Sequence, residues 1–120
     1  MRQLTITLQS DWKSALRNAG SKATRGIASQ RYQGEMLNFE TPAQLFGQLT
    51  ENRWNIVRLM QGAESMSVRE LARRLERDPK RVLDDVRALI ALGLIEKTPD
   101  DKIVCPFADI HVDMHLAAAA

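Results

Sequence analysis

The stretch SVRELARRLERDPKRVLDDVRALIALG, residues 67–93, decides how this chain is read. Val68, Leu71, Ala72 and Leu75 recur at i, i+3, i+4 and i+7, and Val82, Leu83, Val86, Leu89 and Ile90 repeat that spacing after a short break. Apolar residues three and four apart line one side of an α-helix, so the pattern predicts two amphipathic helices. Their borders carry helix punctuation. Ser67 with Glu70 three residues on is a capping box, in which each side chain reaches an orphan amide of the first turn. Asp78 then Pro79 sets an N-cap before a proline whose missing amide costs nothing at the first helical position. Gly93 supplies a left-handed stop. Glu76, Arg77 and Asp78 leave room only for a tight turn, so the two helices cross steeply, as in a helix-turn-helix.

Working outward, LIEKTPDDKIVCP reads as a small hairpin. Leu94 and Ile95 open one strand, Pro99-Asp100-Asp101 is turn chemistry, and Ile103 with Val104 forms the return strand. A two-stranded ribbon behind a helix-turn-helix makes a winged helix. Upstream, Thr50 caps a helix in which Trp54, Ile56, Val57, Leu59 and Met60 form a broad apolar face before Gly62. That helix is the expected third member of the winged core, with Trp54 as its anchor. Thr41 and Pro42 start a shorter helix carrying Ala43, Leu45, Phe46 and Leu49.

The N-terminal RQLTITLQ alternates, with Leu4, Ile6 and Leu8 on one face of a half-buried strand. Ser10 or Asp11 caps a helix expected to about Ala19, while residues 21–33 read equally as a frayed helix or a linker. EMLNF, residues 35–39, suits a second short strand. Ile110, Val112, Met114 and Leu116 alternate again, predicting a terminal strand whose partner is the N-terminal strand or its copy in a second subunit. The expected fold is α+β: a mostly helical winged helix-turn-helix over residues 41–116, with an N-terminal strand-helix extension over 1–40 and a frayed tail over 117–120.

With 120 residues and 44% hydrophobic content, the chain supports one modest core. No continuous apolar run suits a membrane span or signal peptide, and the single cysteine, Cys105, fits a reducing cytoplasm. Net charge is only +2 and unevenly spread. Six cations face one anion over residues 1–34, two face four over 35–66, and nine face ten over 67–120. A generally basic domain is therefore excluded, and any nucleic-acid contact depends on local placement.

A wheel of about 100° per residue puts Lys80, Arg81, Asp84, Arg87, Ala88 and Ala91 outside on the second helix. The N-terminal half of a helix lying in a major groove reaches base edges, so Lys80 and Arg81 are expected to meet guanine or phosphate. Ala88 and Ala91 let such a helix sit close. Asp84 and Asp85 oppose this by repelling phosphates, although an i, i+4 pair between Lys80 and Asp84 would lessen the repulsion. Arg69, Arg73 and Arg77 recur every four residues, a row suited to one phosphate strand. Lys97 and Lys102 flank the wing turn, where they can reach a neighbouring groove or backbone. The same charges also suit ordinary solvated faces.

His111, Asp113 and His115 would share one face of a strand, a spacing able to hold a metal. The same alternation suits the wet side of an edge strand, and no metal or cofactor is expected. Cys105 reads as a small core residue. No Ser/His/Asp order, glycine-rich phosphate loop or paired carboxylate with an obvious cleft is present, so the chain is not expected to be an enzyme.

The runs LTENRWNIVRLM, SVRELARRLERDPKRVLDDVRALIALGLIEK and IVCPFADIHVDM resemble the MarR-like winged-helix transcriptional regulators, many of which look like antitoxins encoded beside a small toxin. The most specific pieces are Arg77-Asp78 with Lys80, Val82, Asp85-Val86 and Gly93-Leu94-Ile95. The resemblance implies a DNA-binding repressor that also masks a toxin as the antitoxin of a toxin-antitoxin pair. From the residues, the expectation is a homodimeric repressor of double-stranded DNA, its subunits joined through the N-terminal strand and helix and the C-terminal strand. The alternative is a protein-binding module that neutralises a toxin without specific DNA reading, covering its partner with the basic N-terminal segment.

Overall fold

The computed structural model describes residues 2–8 and 34–115, and in it the cap signatures of the sequence fall at helix borders. Its described elements are β1 (Arg2–Leu8), β2 (Glu35–Phe39), α1 (Pro42–Gln48), α2 (Glu51–Met60), α3 (Val68–Leu75), α4 (Pro79–Leu92), β3 (Glu96–Lys97), β4 (Ile103–Val104) and β5 (Phe107–Asp113), an α+β set. The helix expected from Ser10 or Asp11, the linker reading of residues 21–33, Leu116 and the tail 117–120 lie outside the described residues. No described helix is long and apolar enough to cross a membrane. The chain divides into two compact units, Gln48–Ala108 and Arg2–Gly47 with Asp109–Ala120. The sequence reading places its boundaries at residues 40 and 116. In the structure β5 runs past Ala108 to pair in the sheet of β1.

In the unit Gln48–Ala108, three side-chain caps organise the helices. Thr50 Oγ1 accepts from the Arg53 amide at 3.4 Å, Ser67 Oγ from the Glu70 amide at 3.1 Å, and the Asp78 carboxylate from the Arg81 amide at 3.3 Å. The expected capping box at Ser67 forms by half, because the Glu70 carboxylate turns to Arg73 and Arg74 instead of reaching back. Between α3 and α4 the chain reverses at Glu76, which takes a left-handed conformation at φ 55°. Such a conformation costs a non-glycine residue about 1 kcal/mol or more. It is offset by closing the amides of Glu76 and Arg77 onto the carbonyls of Arg73 and Ala72. Gly93 ends α4 at φ 88°, where glycine carries no steric penalty.

The apolar stripes meet in one core. Ile56, Val57 and Met60 of α2, Leu71 and Ala72 of α3, and Val82, Val86 and Leu89 of α4 are all buried. Each contributes about 1–3 kcal/mol by leaving water, which is what sets the crossing of three short helices. Trp54, the expected anchor, is only half-buried. Leu94 and Ile95 do not open a strand; they are buried in the core, and the hairpin begins one residue later. β3 and β4 pair antiparallel, Glu96 opposite Val104 and Lys97 opposite Ile103. Met66 adds a bridge, exchanging backbone hydrogen bonds of 3.0 and 2.8 Å with Ile103, so the hairpin is tied to the chain entering α3. Its tip closes when the Thr98 amide donates to the Lys102 carbonyl at 2.9 Å, with Asp101 at φ 63°.

In the other unit, β1 is the middle strand of a sheet in the order β2-β1-β5. Leu4 and Ile6 are buried as their alternation predicts, and β1 pairs parallel with β2 from Leu4 opposite Glu35 to Leu8 opposite Phe39. Thr7 is buried on the other face, where its hydroxyl donates to Asn38 Oδ1 at 2.8 Å, so the polar group is paired. An Arg2–Glu35 ion pair of 2.7 Å ties the start of both strands.

Candidate functional site

The outer face of α4 is open along its length. Lys80, Arg81, Asp84, Arg87 and Ala91 are exposed and Ala88 is half-buried, while Val82, Val86 and Leu89 point into the core. Among the described residues no carboxylate pairs with the side chains of Lys80, Arg81 or Arg87. The expected Lys80–Asp84 pair does not form. These cations can therefore take an acceptor on another molecule without breaking an ion pair among the described residues.

Asp85 does not share that face. It turns inward, its Oδ1 taking Arg53 Nε at 3.1 Å and its Oδ2 taking Arg77 Nη2 at 3.0 Å. Arg53 also donates through Nη1 to the Gln48 carbonyl at 2.7 Å. One carboxylate thus ties α4 to α2 and to the turn before α4. The repulsion expected of Asp85 toward phosphate is removed, since two guanidinium groups neutralise it. Arg77 is correspondingly not the free third member of an arginine row. Its side chain is 22% exposed, and its Nη1 is buried without a protein acceptor. Beside this trio lies a cavity of about 370 Å³ whose walls include Thr50, Asn52 and Arg81. Sequence reasoning missed Arg53, because nothing near it signals a partner in another helix.

The rest of the expected row is partly engaged. Arg69 is exposed and has no partner among the described residues. Arg73 donates to Glu70 through Nε at 3.0 Å, and Arg74 donates to the same carboxylate at 2.9 Å. Hydrogen bonds from Arg73 and then Arg74 hold the Glu70 carboxyl down to about 2. A carboxyl lowered in the folded state adds stability that is present above its ordinary value of about 4.3 and is lost as pH falls toward 2. Glu70→Gln should therefore flatten the acid limb of thermal stability between those values. An acid limb identical to that of the parent would show that the pairing contributes nothing.

The hairpin cations are also paired. Lys97 Nζ lies 2.9 Å from Asp101 and Lys102 Nζ 3.8 Å from Asp100, so this turn presents no net positive charge. Thr98 donates to Asp100, and that bond with the nearby lysine lowers the Asp100 carboxyl. His111, Asp113 and His115 are exposed, and no cluster able to hold a metal occurs among the described residues. Burial pushes the Cys105 thiol up, which keeps it protonated and suits a core position.

What fold and site define is a small α+β protein with three neighbouring helices, a tied hairpin and one open cationic helix face. A model of the HVO_A0114 family matches residues 48–112, more than half of the chain, and the chain belongs to that family. The match spans the unit Gln48–Ala108 and most of β5. No curated protein and no solved structure matches the chain.

Proposed function

We propose that this protein is a sequence-specific DNA-binding transcriptional repressor of winged helix-turn-helix architecture, with α3 and α4 as its helix pair and β3–β4 as its wing. The observation that carries this reading is the outer face of α4. Lys80 and Arg81 stand exposed in its first turn, Arg87 follows on the same side, and the small Ala88 and Ala91 leave the helix slim enough for a major groove. Asp84 accepts from a cytosine amino group or orients a neighbouring arginine. Arg69 meets the phosphate backbone. Lys97 and Lys102 can join it only by giving up Asp101 and Asp100, so the wing is the weaker clamp. A gel shift with the DNA upstream of the protein's own coding sequence tests the reading. Sequence-dependent retardation is expected, and retardation no stronger than on unrelated DNA would sink it.

The repressor is a homodimer in this reading. β5 is an edge of its sheet among the described residues, and it carries Val112 at 42% exposure, followed by Met114 at 40%. An edge with unpaired backbone groups and exposed apolar side chains invites a second strand. Val112→Lys should then convert the dimer to a folded monomer in sedimentation. A variant that sediments as the parent does would move the interface elsewhere.

The second reading, an antitoxin or other protein-binding module, is favoured by a different feature. Residues 41–50 carry no charged side chain, and Phe46 of α1 is 58% exposed. An uncharged helix with a bare aromatic ring suits a protein partner more than DNA. The two roles use different residues and are compatible in one chain.

A further inference from the structure

We propose that the cavity between α4 and the β3–β4 hairpin binds a small aliphatic carboxylate. The cavity measures about 360 Å³, at the small end of ligand sites. Its apolar lining comes from the start of α3 through Val68, from α4 through Leu83, Val86 and Ile90, and from β4 through Ile103. Val86 and Ile103 are buried, whereas Val68, Leu83 and Ile90 are only half-buried. These three belong to the apolar stripes of their helices, yet the hairpin does not cover them. An apolar tail entering the cavity would remove their remaining surface from water. Among the described residues no aromatic side chain lines the walls, which suits a flexible alkyl group over a flat ring.

Charge selects the head group. Arg87 and Lys97 both line the cavity, and so does Asp101. Lys97 and Asp101 neutralise each other at 2.9 Å, leaving one net positive charge from Arg87, which has no acidic partner among the described residues. A single unpaired guanidinium matches a monoanion, and its fork fits a carboxylate through two parallel hydrogen bonds. A phosphate monoester would bring a second charge with nothing to meet it. The site therefore pairs a part-open aliphatic pouch with one cation whose fork fits a carboxylate at its side. It stands on this geometry and does not depend on DNA binding.

Isothermal titration of the full chain with octanoate tests this, with octanol and acetate as controls. Octanoate should bind one per chain with a dissociation constant on the order of 1 mM or tighter, as a ligand of this size allows. Acetate lacks the tail and octanol the charge, so each should bind at least about tenfold more weakly. Arg87→Gln removes the charge from an exposed side chain without disturbing the core. It should weaken octanoate by a similar factor and leave octanol unchanged, with circular dichroism confirming the fold. Octanol binding as tightly as octanoate, or octanoate binding undiminished in Arg87→Gln, would overturn the proposal, as would no saturable heat with octanoate.

Discussion

Replacing Lys80 and Arg81 together with alanine is expected to lower affinity for the operator about 100-fold while leaving the fold intact. Both side chains stand in the first turn of α4, exposed and unpaired with any acid among the described residues. Their removal therefore breaks no internal ion pair, and surface changes of this kind shift stability by only about 0.5 kcal/mol. The cap at this end survives, because Asp78 holds the backbone amide of Arg81 rather than its side chain. A good base contact contributes about 1–3 kcal/mol, so two lost contacts give roughly the stated factor. The salt dependence separates the roles. If both residues meet phosphates, the slope of log affinity against log salt should fall by about 2, and all sequences should weaken alike. If they meet guanine edges, the operator should weaken more than unrelated DNA. Parental affinity in the double variant would remove α4 from the interface. Retention of a protein partner alongside lost retardation would leave the protein-binding role of α1 standing by itself.

The open face of α4 was legible because it follows from local rules. Asp78-Pro79 and Gly93 bracket the helix, and the periodicity of Val82, Val86 and Leu89 fixes which side is buried, so the opposite side follows by geometry. The same logic gave α2 and α3 through Thr50 and Ser67, and β1 through the alternation of Leu4 and Ile6. Where a residue had two local options, the sequence did not choose between them. Glu70 can reach back to an N-terminal amide or forward to Arg73 and Arg74, and two charged hydrogen bonds outweigh one neutral donor. Leu94 and Ile95 read as strand residues, yet burial in the core outweighs their β propensity.

Features that depend on distant partners were not legible. From sequence alone Asp85 reads as an acid facing DNA, because nothing nearby announces Arg53, 32 residues away. The four-residue spacing of Arg69, Arg73 and Arg77 suits a row along one phosphate strand, but the chain has already turned at Glu76, before Arg77. The position of Lys97 and Lys102 beside the turn suits a groove or backbone, yet the turn brings Asp101 and Asp100 back to pair with them. These ion pairs take Asp85, Arg77, Lys97 and Lys102 out of the surface expected to meet DNA and leave Lys80, Arg81, Arg87 and Arg69 as its unpaired cations among the described residues.

Asp85→Ala is the substitution expected to cost the fold most among the polar residues described. The carboxylate is 17% exposed, and its two partners are 21% and 22% exposed. Removing one member of a fully buried ion-pair cluster typically costs about 3–5 kcal/mol, and this trio is only partly buried. The neighbouring cavity lets some water reach the stranded guanidinium groups, which argues for about 2–4 kcal/mol here. In a unit of this size that lowers the melting temperature by at least about 10 °C. The cause can be separated from a simple loss of packing. Arg77→Met with Asp85→Leu removes a charge of each sign and also the buried Nη1 that has no acceptor. That pair should cost less than Asp85→Ala alone, because apolar replacement of a buried pair is often neutral. Because Arg77 precedes α4 and Arg53 sits on α2, Asp85→Ala should also loosen the seat of α4 and weaken DNA binding although no groove-facing residue changes. A loss of less than about 0.5 kcal/mol would show that solvent screens the trio as it does a surface pair. The orientation of α4 would then rest on Val82, Val86 and Leu89 alone.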